Sequence, residues 1–166
     1  ERRDLLAFRS MLVGESSLPD RLARNLLFAE SAQYLDNELA TNRFPVGGTL
    51  IRLSDINVPM FVVGTEADHV APWKSVYKIH YQVDADVTFV LTSGGHNAGI
   101  VAPPGEPGHS YRVKTEVAHA TYTGPDEWLR TVPSVEGSWW REWTKWLAAR
   151  SGEPSEPPRM GKKSEE

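Results

Sequence analysis

The hydrophobic positions of this chain change period along its length. Between residues 17 and 40, Phe28, Ala32, Leu35 and Leu39 recur at spacings of 4, 3 and 4, one apolar stripe of a helix. Ser17 is a cap residue, Pro19 falls in the first turn and Asp20 follows the cap by three, which suits a helix start. Phe44-Pro45 and Gly47-Gly48 end the segment in a turn, and Thr49 to Leu53 reads as a short strand. Met60-Phe61-Val62-Val63 is apolar on both faces and stops at Gly64, the pattern of a central parallel strand. A polar loop follows, Thr65 to Val70, and Pro72 opens a helix to about Gln82 with Val76, Ile79 and Tyr77 as inward candidates. Val87 to Leu91 is again strand-like and ends in the loop Ser93-Gly94-Gly95-His96-Asn97-Ala98-Gly99. Strand, loop, helix, strand, loop predicts two adjacent parallel strands joined by a crossover helix.

Residues 102–136 are rich in Pro, Gly and His with weak periodicity. They predict long connections with one short strand near Tyr111 to Val113. Gly137-Ser138 starts a last helix, with Ser138 as cap and Trp139, Trp143 and Trp146 at spacings of 4 and 3. This stripe reads as packing, since large apolar area against a sheet accounts for it. From Ser151 the chain turns to Pro, Glu, Lys and Ser without an aromatic residue, and predicts a disordered tail. There is no internal repeat.

Composition narrows the function. The 166 residues are 40% hydrophobic and 24% charged, within the range of one globular domain. A net charge of −4 leaves no electrostatic footprint for nucleic acid. No apolar run approaches the roughly 20 residues of a membrane span. There is no cysteine, hence no disulfide, no thiolate metal site and no thiol nucleophile in these residues.

In open α/β sheets, functional groups gather at the carboxyl ends of the strands. Here the first such loop carries Asp68-His69 and the second His96, so that Asp68 and His96 are 28 residues apart. A carboxylate beside an imidazole fixes its tautomer and stabilises its protonated form, freeing the ring for general base and acid work. Acid before histidine is also the chain order of the α/β-hydrolase arrangement, in which the nucleophile precedes both. No G-x-S-x-G elbow is present: Gly14-Glu15-Ser16-Ser17-Leu18 lacks the second glycine. The nucleophile is therefore expected upstream of Glu1, or absent. The chain begins Glu1-Arg2-Arg3-Asp4 without a methionine, which favours a piece of a longer protein.

Plainer readings stand beside this one. A single Asp and a single His in loops often cap turns or meet solvent. A metal site from Asp68, His69 and His96 fits by ligand type, but no H-x3-H pair supports it. His69 suits a turn and His80 the surface of its helix, while His109 and His119 lie in the poorly patterned stretch.

Gly64-Thr65-Glu66-Ala67-Asp68-His69-Val70-Ala71-Pro72-Trp73 resembles the D-H-x-x-P-W segment of the polyhydroxyalkanoate synthases, bacterial polyester polymerases. Val87 to Val101 resembles their catalytic histidine loop, and Gly137-Ser138-Trp139-Trp140 with Trp143 and Trp146-Leu147 their C-terminal helix. The three motifs stand in the family's order, and the resemblance spans about residues 32–150. It implies the C-terminal portion of an α/β-hydrolase fold with an incomplete sheet. Residues 1–48 would end a cap region and lead into the core, 49–150 form the C-terminal half of that core, and 151–166 the tail.

The family's triad is Cys-Asp-His, and Asp68 and His96 match its aspartate and histidine. The reaction so implied is acyl transfer from (R)-3-hydroxyacyl-CoA to a cysteine and on to a growing polyester, with release of CoA. The resemblance also implies a homodimer in the full-length protein, no cofactor, and a cytoplasmic location on polyester granules. Turnover by this chain alone is not expected. A related esterase or depolymerase, or a non-catalytic relic keeping a dimerisation or granule surface, are the alternative readings.

The chain also departs from the family's pattern: it holds no cysteine, and most of the cap region that the family places between nucleophile and aspartate is missing. Asp4-Leu5-Leu6-Ala7-Phe8 resembles the family's D-L-L-x-W and Tyr34-Leu35-Asp36-Asn37-Glu38-Leu39 its Y-L-x-N-E-L. Arg9 to Gly14 between them does not match the usual Asn-x-Asp-x-Thr pattern.

Overall fold

The computed structural model describes residues 37–156. The helix predicted over 17–40, the segment 14–18 and residues 157–166 of the tail lie outside the described residues, save that 38–40 fall in a turn. There Asn37 has a φ of 50°, and the Thr41 N–H donates to its carbonyl at 3.1 Å. Next, β1 (Phe44–Val46) and β2 (Thr49–Ile51) form an antiparallel hairpin. Gly47 and Gly48 have φ of 57° and 85°, the positive pair that a tight two-residue hairpin turn requires.

The main sheet has the order β3 (Met60–Thr65), β4 (Val87–Thr92), β5 (Ser110–Glu116), β6 (Val135–Glu136). β3 and β4 are parallel, as the order strand, helix, strand predicts, paired from Met60–Val87 to Thr65–Thr92. β5 and β6 are antiparallel additions, so the protein is α/β with a mixed sheet. The physical reason lies in the connection between β4 and β5. It stays at one end of the sheet, where the Ser93 N–H donates to the Ser110 carbonyl at 2.8 Å, so β5 must run back.

β4 is buried along its whole length, because both of its faces are covered. Val87, Phe89 and Leu91 face Trp73, Tyr77, Trp128 and Val132. Val90 faces Ala102, Tyr111 and Trp139, with Phe61 and Val63 of β3 beside it. Gly64 leaves little room where Trp73 crosses β3: a Cβ there would lie 3.2 Å from both Phe89 and Trp73.

The crossover is not the single helix expected over 72–82. α1 (Trp73–Val76) is one α-helical turn, and Tyr77–Tyr81 continues as a 3₁₀ helix. Residues three apart share a face in a 3₁₀ helix. Tyr77 and His80 therefore point inward together, and the His80 side chain is only 2% exposed. The surface position expected for His80 is corrected on this ground.

The long stretch 102–136 also holds more structure than its pattern suggests. β5 has seven residues, and α2 (Pro125–Thr131) covers the sheet with Trp128. α3 (Trp140–Ala148) lies on the opposite face. Trp139 just before it stacks on Phe61 at 6.2 Å and Trp146 meets the same ring edge-on at 5.7 Å, while Trp143 is 43% exposed. The packing role read for this stripe thus holds for two of its three members. Residues 151–156 are exposed and carry no helix or strand.

Candidate functional site

The parallel ladder continues past the ends of β3 and β4. The Glu66 N–H donates to the Thr92 carbonyl at 2.9 Å and the Ala67 N–H to the Gly94 carbonyl at 3.0 Å. These bonds draw the Asp68 loop and the His96 loop together at one rim. Gly94 turns at a φ of 97°, and the Gly99 N–H closes a turn onto the Gly95 carbonyl at 2.9 Å, with His96 projecting from it.

His96 Nδ1 lies 2.8 Å from Asp68 Oδ2. The rest of the carboxylate is fully engaged. Oδ1 accepts the Val70 and Ala71 N–H groups at 2.8 and 2.9 Å, and Oδ2 also accepts the Thr65 hydroxyl at 3.2 Å. The Asp68 side chain is 7% exposed and that of His96 51%. The Ala71 N–H first, then His96 and the Val70 N–H, hold the Asp68 carboxyl well below the usual carboxylate range. A carboxylate held ionised can only accept, so the shared proton belongs on Nδ1 of His96. In the neutral ring the lone pair then lies on Nε2, and the ring is half exposed, so this nitrogen can accept a proton.

The other histidines stay apart. His69 is exposed although it adjoins Asp68. His109 pairs with Glu106 at 3.6 Å and His119 with Asp84 at 3.0 Å. Among the described residues no group of three His, Asp or Glu side chains is placed to hold a metal ion, so the metal alternative is not assembled.

Two groups of residues support the site although the sequence pattern gives them no role in it. Thr65 supports Asp68 from the end of β3, and only its position three residues before an aspartate hinted at this. Ser138, Trp139 and Trp140 donate to backbone carbonyls just beyond His96. Sequence gives their size and period, but not the direction of an indole N–H.

No protein-family model matches the chain. It is 33% identical over 120 residues to the poly(3-hydroxyalkanoate) polymerase subunit PhaC of Cupriavidus necator, which covers 72% of this chain and 20% of that protein. Poly(3-hydroxyalkanoate) polymerase 2 of Ectopseudomonas oleovorans is 37% identical over 114 residues, or 69% of this chain and 20% of the relative. The polymerase of Methylorubrum extorquens is 35% identical over 135 residues, covering 77% and 21%. The chain thus spans about one fifth of the length of these relatives. The matched portion, about 70% of the chain, is thus similar to about one fifth of a poly(3-hydroxyalkanoate) polymerase.

Proposed function

We propose that this chain supplies the acid and the base of an acyl-transfer centre whose nucleophile, a cysteine thiol, comes from polypeptide outside these 166 residues. Residues 49–150 then act as the C-terminal half of an α/β-hydrolase core. The observation that carries the reading is the 2.8 Å contact between Asp68 and His96, on a carboxylate whose other lone pairs are filled.

The roles follow from that geometry. His96 Nε2 takes the thiol proton, and the thiolate attacks the carbonyl carbon of a (R)-3-hydroxyacyl-CoA thioester. CoA thiolate leaves and takes up the proton from the imidazolium. His96 then receives the proton of an incoming 3-hydroxyl, whose oxygen takes the acyl group from the cysteine and lengthens the polyester. Asp68 keeps the ring oriented and stabilises each imidazolium. With four donors around it, Asp68 suits this supporting role better than that of the base itself.

Turnover requires the sulfur, so the test separates the two halves. The chain alone should release no CoA from 3-hydroxybutyryl-CoA. The chain joined to the nucleophile-bearing part of a poly(3-hydroxyalkanoate) polymerase should release CoA and form polymer. Release by the chain alone refutes the division of labour.

A further inference from the structure

The geometry points to Ser138, Trp139 and Trp140 as positioning residues that hold the His96 loop through three hydrogen bonds to its backbone. This inference rests on the role proposed for His96 and extends it to side chains that never touch Asp68 or His96.

Three consecutive residues at the start of α3 reach three carbonyls in the segment just after the histidine. The Trp139 indole N–H donates to the Gly99 carbonyl at 3.1 Å, and the Trp140 indole N–H to the Ile100 carbonyl at 2.9 Å. The Ser138 hydroxyl donates to the Ala102 carbonyl and accepts the Trp140 N–H at 3.1 Å. That one hydroxyl ties the loop to the first turn of the helix. Gly137, at a φ of 104°, makes the reversal that aims all three, and its N–H is fixed to the His109 carbonyl at 2.8 Å.

These bonds lie where they restrain most. Ser138, Trp139, Gly99 and Ala102 are buried, so two of the three bonds have no water to compete with them. The loop itself supplies little apolar anchoring around the ring: Gly94, His96, Asn97 and Ala98 are exposed. The imidazole is thus positioned from two sides, by Asp68 at its Nδ1 and by residues 138–140 through the backbone three to six residues on. A base displaced by about 1 Å loses much of its effect on rate.

The expected signature is a loss in kcat with KM unchanged. In the protein joined to its nucleophile-bearing part, Ser138→Ala and Trp140→Phe should each lower kcat about ten-fold. Ser138→Thr keeps the hydroxyl and should retain the rate. In the 166-residue chain labelled at histidine nitrogen, the His96 Nδ1–H proton resonance should broaden in Ser138→Ala and Trp140→Phe and persist in Ser138→Thr. Thermal melting of each variant accompanies the rates, and the kcat loss should appear at temperatures where the variant is fully folded. Unchanged kcat and an unchanged resonance in Ser138→Ala and Trp140→Phe overturn the inference, as do equal losses in Ser138→Ala and Ser138→Thr. Asp68→Asn and His96→Ala run beside them: if these two retain CoA release, the proposed function fails instead.

Discussion

Thr65 and Gly99 meet so closely that a Cβ on Gly99 would lie 2.6 Å from the Thr65 Cγ2 methyl and 2.7 Å from the Ser93 carbonyl oxygen. Thr65 is also the residue whose hydroxyl supports Asp68. The contact therefore locks the carboxylate loop and the histidine loop to each other. Gly99→Ala forces one of them away, against backbone that has little room to yield. We expect a loss of about 1–3 kcal/mol, the usual cost of overpacking, measured by urea unfolding. The His96 Nδ1–H resonance should weaken in the same variant, and an unaltered melt and spectrum would disprove the lock.

Asp68 links the site to acid stability. Its carboxyl titrates below its ordinary value because the Ala71 N–H, His96 and the Val70 N–H all favour the charged form. Such a group contributes stability that is complete above the unfolded-state value near pH 4 and is lost as pH falls through the lower folded-state value. Asp68→Asn should thus be less stable than the parent at pH 6 and closer to it at pH 3. Parallel stability curves for the two proteins across that range would contradict the bonding described.

His80 behaves oppositely in chemical type, though with the same sign. Burial lowers its pKa, and it donates from Nδ1 to the Tyr77 carbonyl at 2.9 Å between the rings of Tyr77 and Phe89. Nε2 has no hydrogen-bond partner and faces Glu116 at 4.0 Å. In the unfolded chain the ring takes up a proton near pH 6.5, earlier than in the fold. Stability therefore falls as pH drops from about 7 toward the lowered folded-state value, then levels. His80→Phe removes the proton site while keeping an aromatic ring, and should flatten that slope in melting experiments between about pH 5 and 7.

The core has its own weak point at Phe89. It is fully buried and makes edge contacts with Tyr77 at 5.0 Å and Trp128 at 5.3 Å. Phe89→Ala should cost about 3–5 kcal/mol, a large fraction of the roughly 5–15 kcal/mol that holds a native domain together. Circular dichroism of the variant checks it, and a melt like the parent's would show that this cluster does not hold the sheet.

What the sequence disclosed is uneven for physical reasons. The apolar runs at Met60 and Val87 fix the parallel pair, and the polar, glycine-bearing loops after them place Asp68 and His96 at one rim. Strand ends and loop chemistry are local signals. The pattern shows β5 as a short strand because one of its faces carries Arg112, Lys114 and Glu116, whose charges mask the strand although Glu116 lies beside the buried His80. α2 is seven residues long, too short to show a period, although Pro125 with Asp126 and Glu127 behind it is a helix start. An α-helical period puts His80 at the surface, whereas the 3₁₀ turn that occurs there sets it beside Tyr77 facing inward. The hydrogen bonds from Ser138, Trp139 and Trp140 depend on tertiary approach, which no residue pattern encodes.

The rate of CoA release in the joined protein, compared between parent, His96→Ala and Asp68→Asn, bears most directly on the central claim. The account predicts a loss of roughly 10³-fold or more for His96→Ala and a large loss for Asp68→Asn, with polymer formation lost in step. Release within a few-fold of the parent in His96→Ala would contradict it, because the ring that Asp68 holds would then have no part in moving the proton.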